Sequence, residues 1–123
     1  MDETKLGAVE TQFADIIWEH APLSSRTLVE LCQEQLEWKK STTYTVLKKL
    51  CDRGIFQNKD GAITPLVSRQ EFYARQSQRF VEETFDGSLP AFIAAFASGK
   101  ALSTQDITDI RHMLDEYGKE NTQ

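Results

Sequence analysis

Two cysteines, two histidines and three prolines among 123 residues leave this chain short of several kinds of chemistry. Cys32 lies beside Leu28 and Leu31, and Cys51 beside Val46 and Leu47, each on an apolar helical face. They read as buried thiols in a reducing cytoplasm, not as a disulfide framework. Together with His20 and His112 they have no metal-ligand spacing, so neither a metal nor another cofactor is expected. A glycine-rich phosphate loop, a nucleophile beside a base and an acidic pair at a strand end are all missing. That argues against an enzyme and leaves no catalytic residue to name. No apolar run approaches the roughly 18 to 20 residues of a membrane span. The first residues, Met1–Lys5, carry acids and no apolar stretch, so no secretory signal is expected. Repeats and low-complexity tracts are absent too. The length suits one domain, or one domain with a small appendage.

What the chain does have is segregated charge. Its net charge is −5, but residues 1–36 hold two basic against seven acidic residues, a net of −5. Residues 37–79 hold nine basic against four acidic residues, a net of +5, and residues 80–123 hold three against eight, again −5. A basic middle third supplies a local field for phosphates while the flanks keep the molecule soluble.

The basic third contains the most informative stretch, Trp38 to Gly54. Thr43, Val46, Leu47 and Leu50 recur at the spacing of one buried helical stripe. The far side then carries Ser41, Thr45, Lys48, Lys49 and Asp52, flanked by Thr42 and Tyr44. Short hydroxyls near a helix start can reach base edges, and lysines can neutralise phosphates. Ser41 is a plausible N-cap, although the helix could equally begin a residue or two earlier. Gly54 sits where a C′ glycine belongs. In isolation such a helix reads first as a solvated amphipathic surface, and it is the surroundings that change that weight.

Before it, Leu6, Val9, Phe13, Ile16 and Ile17 predict a helix over about residues 7–20, with Gly7 and Glu10 as half of a capping box and Pro22 closing it. Ser24 opens a second helix to about residue 36, with Leu28, Leu31, Cys32 and Leu36 inward. Trp38 falls in the tight link, where a large aromatic plugs the gap between helices. After it, residues 55–59 and 62–64 flank Asp60-Gly61, a favoured two-residue hairpin turn, and Pro65 ends the second strand. Three helices and a two-stranded ribbon are the order of a winged helix-turn-helix.

At Ser68 the character changes. Ser68 and Glu71 form a capping box for a helix to about Phe85, and Gly87 breaks it. Ser88 caps a short helix with Leu89, Phe92, Ile93 and Phe96, and Gly99 breaks that one. Ser103 caps a last helix in which Ile107, Ile110, Leu114 and Tyr117 follow the 3-4-3 seam of helices that pair. The fold class expected is therefore mainly α with a small β-hairpin wing: a winged-helix domain over residues 1–67, then a helical module over 68–123. The second module is too small to bury its own phenylalanines. It calls for a partner, and a second copy of the chain is the preferred one, with Phe92, Phe96, Ile107, Ile110, Leu114 and Tyr117 in the contact. Folding back onto the first domain is the other possibility.

Several short motifs now line up in order: Glu10, Trp18, Pro22-Leu23-Ser24, Trp38, Thr42…Thr45…Leu47…Lys49-Leu50…Gly54, Pro65-Leu66-Val67-Ser68…Glu71-Phe72, Phe85-Asp86-Gly87-Ser88 and Leu102-Ser103…Asp106-Ile107. Across nearly the whole chain this resembles the penicillinase-repressor family, the BlaI/MecI/CopY type of winged-helix bacterial transcriptional repressors. The resemblance implies a cytoplasmic homodimer on an inverted-repeat, double-stranded DNA operator. Ser41, Thr42, Tyr44 and Thr45 would approach bases in the major groove, with Lys39, Lys40, Lys48, Lys49 and Lys59 toward phosphates.

The chain also departs from relatives. The position of Tyr44 is often basic in them, and an aromatic there cannot make arginine's bidentate guanine contact. The wing, Gly61-Ala62-Ile63-Thr64-Pro65, lacks the family's arginine and tyrosines, leaving Lys59 as its one basic group. Copper-responsive members carry Cys-x-Cys pairs near the C-terminus. The stretch Tyr117–Gln123 has no cysteine, so direct copper sensing is not expected. Antibiotic-responsive members are cut by a membrane sensor protease, and the matching bond here is Ala95–Phe96, where relatives have Asn before the Phe. The rival reading is a winged helix that docks protein and not DNA. The Lys48/Lys49 face and the segregated charge weigh against it, because protein docking requires neither.

Overall fold

The structure is a computed structural model that describes residues 6–120. Met1–Lys5, and with them the N-terminal reading, lie outside the described residues, as do Asn121, Thr122 and Gln123 of the cysteine-free tail. The elements run α1 (Ala8–His20), β1 (Leu23–Ser24), α2 (Ser25–Leu36), α3 (Lys40–Asp52), β2 (Phe56–Lys59), β3 (Ala62–Pro65), α4 (Arg69–Phe85), α5 (Leu89–Gly99) and α6 (Thr104–Glu120). This is a winged helix followed by a helical region, mainly α with a small sheet, as the sequence predicts.

Local chemistry accounts for most of the boundaries. The Gly7 N–H donates to Glu10 Oε1 at 3.1 Å, and glycine has no side chain to reciprocate, so only half a capping box forms. Ser24 Oγ accepts from the Thr27 N–H at 3.0 Å and starts α2. Asp60 and Gly61 both have positive φ, 53° and 85°, the pair a type I′ hairpin turn requires. The sheet has three strands, in the order β1-β3-β2, and not the expected two. Leu23 pairs with Ile63 and Ser24 with Ala62. A two-residue strand has no alternation to read, which is why the sequence hides it. The hairpin's turn is also tied to α2, the Ser25 N–H donating to the Gly61 carbonyl at 2.8 Å. Ser68 and Glu71 make the full capping box predicted for α4. Gly99 still belongs to α5, whose cap is Lys100.

The chain divides into two compact units between Arg79 and Phe80, inside α4, whereas the sequence changes character at Ser68. The reason is aromatic packing. Phe72 is buried and its ring lies 5.7 Å from that of Trp18. Trp18 also meets Phe56 and Tyr73, and its indole N–H donates to the Val67 carbonyl at 3.0 Å. Arg69 adds a 3.0 Å ion pair to Asp15 and covers the Tyr73 ring at 4.8 Å. The first turns of α4 thus complete the core of the first unit, with Phe13, Ile17, Leu28, Leu47, Leu50 and Ile63 as its centre. The second unit is held by a run of rings, Phe80, Phe85, Phe92 and Phe96, with neighbouring centroids 5.7 to 6.5 Å apart.

Trp18→Phe removes the only donor that side chain offers to the Val67 carbonyl and shrinks four-ring packing. It should lower the unfolding free energy by about 1 to 3 kcal/mol with the fold retained, read as a shift in the urea midpoint at unchanged slope.

Candidate nucleic-acid interface

The orientation of α3 is set from behind. Thr43, Leu47 and Leu50 are buried, with at most 2 % exposure, and Val46 is half-buried. The Thr43 hydroxyl is satisfied within the helix by the Lys39 carbonyl at 3.3 Å. Ahead of the helix, Glu37 takes a left-handed conformation, φ 57°, and the Trp38 ring stacks on Phe13 of α1 at 5.4 Å. The aromatic does plug the link, and it does so against α1. The helix begins at Lys40 with Lys39 as N-cap, two residues before the Ser41 cap that residue preference suggests. Ser41 is therefore inside the first turn, with its side chain exposed. No side chain caps this helix end.

Ser41, Thr42, Tyr44 and Thr45 are all exposed on one end of α3. Thr45 Oγ1 donates to the Ser41 carbonyl at 2.9 Å, so outward it offers a methyl group and acceptor lone pairs, not its proton. Lys39 and Lys40 are exposed at the helix start, beside an open cleft with Val29, Gln33, Glu37 and Trp38. Among the described residues neither lysine has a carboxylate partner. Lys48 and Lys49 differ from them. Lys48 Nζ lies 2.9 Å from Asp52 Oδ2, which raises the lysine's pKa. Lys49 Nζ lies 2.6 Å from Glu10 Oε2 on α1. That hydrogen bond, helped by the Gly7 N–H, holds the Glu10 carboxyl below the ordinary carboxylate range. Lys59 is exposed at the end of β2, while Ile63 of the wing is buried.

In the second unit, α5 and α6 contain no buried residue. Ile107, Leu114, Tyr117 and Phe96 are exposed, and Phe92 and Ile110 half-buried. Met113, absent from the 3-4-3 seam, is also half exposed. The Ala95–Phe96 bond lies within α5. Cys32 and Cys51 are free thiols, and burial pushes both pKa values up, which disfavours the nucleophilic thiolate. Among the described residues no three His, Cys, Asp or Glu side chains are grouped to hold a metal, and no helix is long and apolar enough to cross a membrane. The Lys49–Glu10 and Arg69–Asp15 pairs were not legible in the sequence, since only the fold brings those residues together.

A winged helix with a hydroxyl-rich, lysine-flanked third helix has the form of a gene regulator. The family model for the penicillinase repressor matches residues 6–116, and the chain belongs to that family of transcriptional repressors, which are not enzymes. It is similar to the methicillin resistance regulatory protein MecI of Staphylococcus aureus, 25% identical over 116 residues that cover 91% of this chain and 94% of the relative. It is similar also to the penicillinase repressor of Bacillus licheniformis, 20% identical over 92% of this chain and 91% of that one. The Mammaliicoccus sciuri MecI protein is 24% identical over 91% of the chain and 94% of its own length.

Glu10's depressed pKa fixes a pH dependence. A carboxylate with a lowered folded-state pKa stabilises above its unfolded value, and loses that contribution as pH falls through the folded value. Wild type should therefore exceed Glu10→Gln in stability at pH 7 by under about 1 kcal/mol, since the pair is partly solvated. The urea midpoints of the two should converge as the pH falls below the ordinary carboxylate range.

Proposed function

We propose that the chain represses transcription in the cytoplasm as a homodimer that binds an inverted-repeat operator, with α3 of each subunit in a major groove. The observation that carries this reading is the α3 geometry. A buried stripe on one side holds Ser41, Thr42, Tyr44 and Thr45 outward on the other, at a helix start flanked by Lys39 and Lys40 and free of a side-chain cap. An uncapped helix start between two lysines suits a DNA phosphate, and hydroxyls one turn in suit base edges. Tyr44 and the Thr45 methyl favour contact with thymine methyls over guanine. Lys39 and Lys40 are the main phosphate ligands, Lys48 and Lys49 contribute with compensated charge, and Lys59 is the wing's one cation. The exposed apolar side of α6, with Phe92 and Phe96 of α5, forms the subunit contact. Release by a membrane sensor protease at Ala95–Phe96 needs α5 to open locally, because a helical bond is a poor protease substrate.

Binding to the chain's own upstream DNA should fall steeply with salt, about 0.9 in log K per log salt for each phosphate contact. Thr45→Ala and Tyr44→Ala should relax base preference, each removing about 1 to 3 kcal/mol of discrimination where the side chain reads a base well. Lys40→Ala should weaken binding to all sequences and shallow the salt slope. Gel shifts at two salt concentrations distinguish these, and salt-insensitive binding would count against the reading.

Ile110→Asp should place an uncompensated charge in the subunit contact. The expected protein is largely monomeric by light scattering, keeps its helical circular dichroism, and loses orders of magnitude in operator affinity because two weak half-sites are no longer joined. A dimeric mutant would put the contact elsewhere.

A further inference from the structure

Two lysines on the outward side of α3 already have anions. Glu10 approaches Lys49 from a different helix, and its carboxylate is fixed at both oxygens, Oε1 by the Gly7 N–H at 3.1 Å and Oε2 by Lys49 Nζ at 2.6 Å. Only 21% of the Glu10 side chain is exposed, against 49% for Lys49. Asp52 holds Lys48 at 2.9 Å in a pair that is far more exposed. Lys39 and Lys40, on the same helix, have no such partner among the described residues.

Resting on the reading that α3 meets DNA, we propose that Glu10 and Asp52 are built-in competitors for phosphate, which occupy Lys49 and Lys48 in the free protein and hold down its affinity for DNA of any sequence. The physical reason is ion exchange. A free lysine that meets a phosphate releases about 0.9 of a bound counterion. A lysine that must first leave a carboxylate exposes that carboxylate, which takes up a cation in turn, so the net release is close to zero. Glu10 is the stronger competitor because its two anchors hold it in place before DNA arrives, and its lowered pKa keeps it anionic through the neutral range. The +5 segment is thereby tempered at its centre by an acid from the first third of the chain, and full at the helix start.

The test uses the full-length protein on random-sequence duplex DNA, with fluorescence anisotropy across a salt series. Glu10→Gln keeps an oxygen for the Gly7 N–H and removes the charge, and Asp52→Asn does the same on α3. Each should bind about two- to five-fold more tightly at low salt and steepen the salt slope by up to about 0.9. Lys49→Gln should change the slope less than Lys40→Gln. Glu82→Gln is the control for net charge, since Glu82 is exposed on α4, away from α3 in the sequence, and has no lysine partner among the described residues. A brace without the proposed role gives no gain in affinity: Glu10→Gln would then show only the small loss of stability already expected of it and bind DNA equally or less well, which overturns the inference. An equal gain from Glu82→Gln also overturns it by reducing the effect to net charge. If wild type binds DNA and neither variant gains, this inference alone fails. If wild type binds neither random nor upstream DNA, the functional reading fails first and takes the inference with it.

Discussion

The rotation of α3 about its own axis is the constraint on which the rest depends. An α-helix turns about 100° per residue, so a shift of one position in the buried stripe would swing every outward side chain away from its present direction. Thr43, Leu47 and Leu50 prevent this by filling the core between α1, α2 and the sheet. Thr43 is an informative member of that stripe. A hydroxyl at 0% exposure is tolerated because the helix itself accepts its hydrogen bond. Either end of α3 is then fixed separately. Trp38 stacked on Phe13 determines where the helix starts, and Lys49 on Glu10 ties its later turns to α1. Both anchors use α1, so α1 serves as the base on which the outward surface is built.

The same helix reaches α4 through Trp18. One side chain touches β2 through Phe56 and α4 through Phe72 and Tyr73, and donates to the chain just before α4. Burying an indole without a partner for its N–H is costly, and the Val67 carbonyl removes that cost. This is why the first compact unit extends through the first turns of α4 although the character of the sequence changes at Ser68. A helix that begins in one hydrophobic cluster and ends in another gives no sign of the changeover in its own apolar spacing.

Much of the fold was legible because it rests on local rules. The Ser24, Ser68, Ser88 and Ser103 caps all form, and Asp60-Gly61 makes the turn its residues demand. Features that escaped the sequence are those in which tertiary structure overrides preference or acts at a distance. Lys39 is a poor N-cap by residue type, yet the left-handed turn at Glu37 and the docking of Trp38 start the helix there. Ser41, the better cap by type, keeps its hydroxyl facing outward instead. β1 is invisible because its two residues owe their pairing wholly to β3. The outward hydroxyls were legible from the wheel alone, whereas the difference between paired and unpaired lysines was not, since Glu10 is far from Lys49 along the chain.

The second unit sharpens a physical problem that the first does not have. Its helices bury no residue fully, yet Phe96, Met113, Leu114 and Tyr117 each stand about half exposed among eight acidic side chains in residues 80–123. Apolar groups left at half exposure are favoured to associate, and acids around them limit that association to partners that align the apolar groups while keeping the charges in water. A two-fold pairing of two copies of the chain would meet both conditions at once, because each copy would present the same apolar groups and the same acidic margin. On the proposed reading, joining two subunits multiplies two half-site affinities, and internal carboxylates on the DNA side keep each of those affinities small. Occupancy then depends on the pairing of α6 more than on any single lysine of α3.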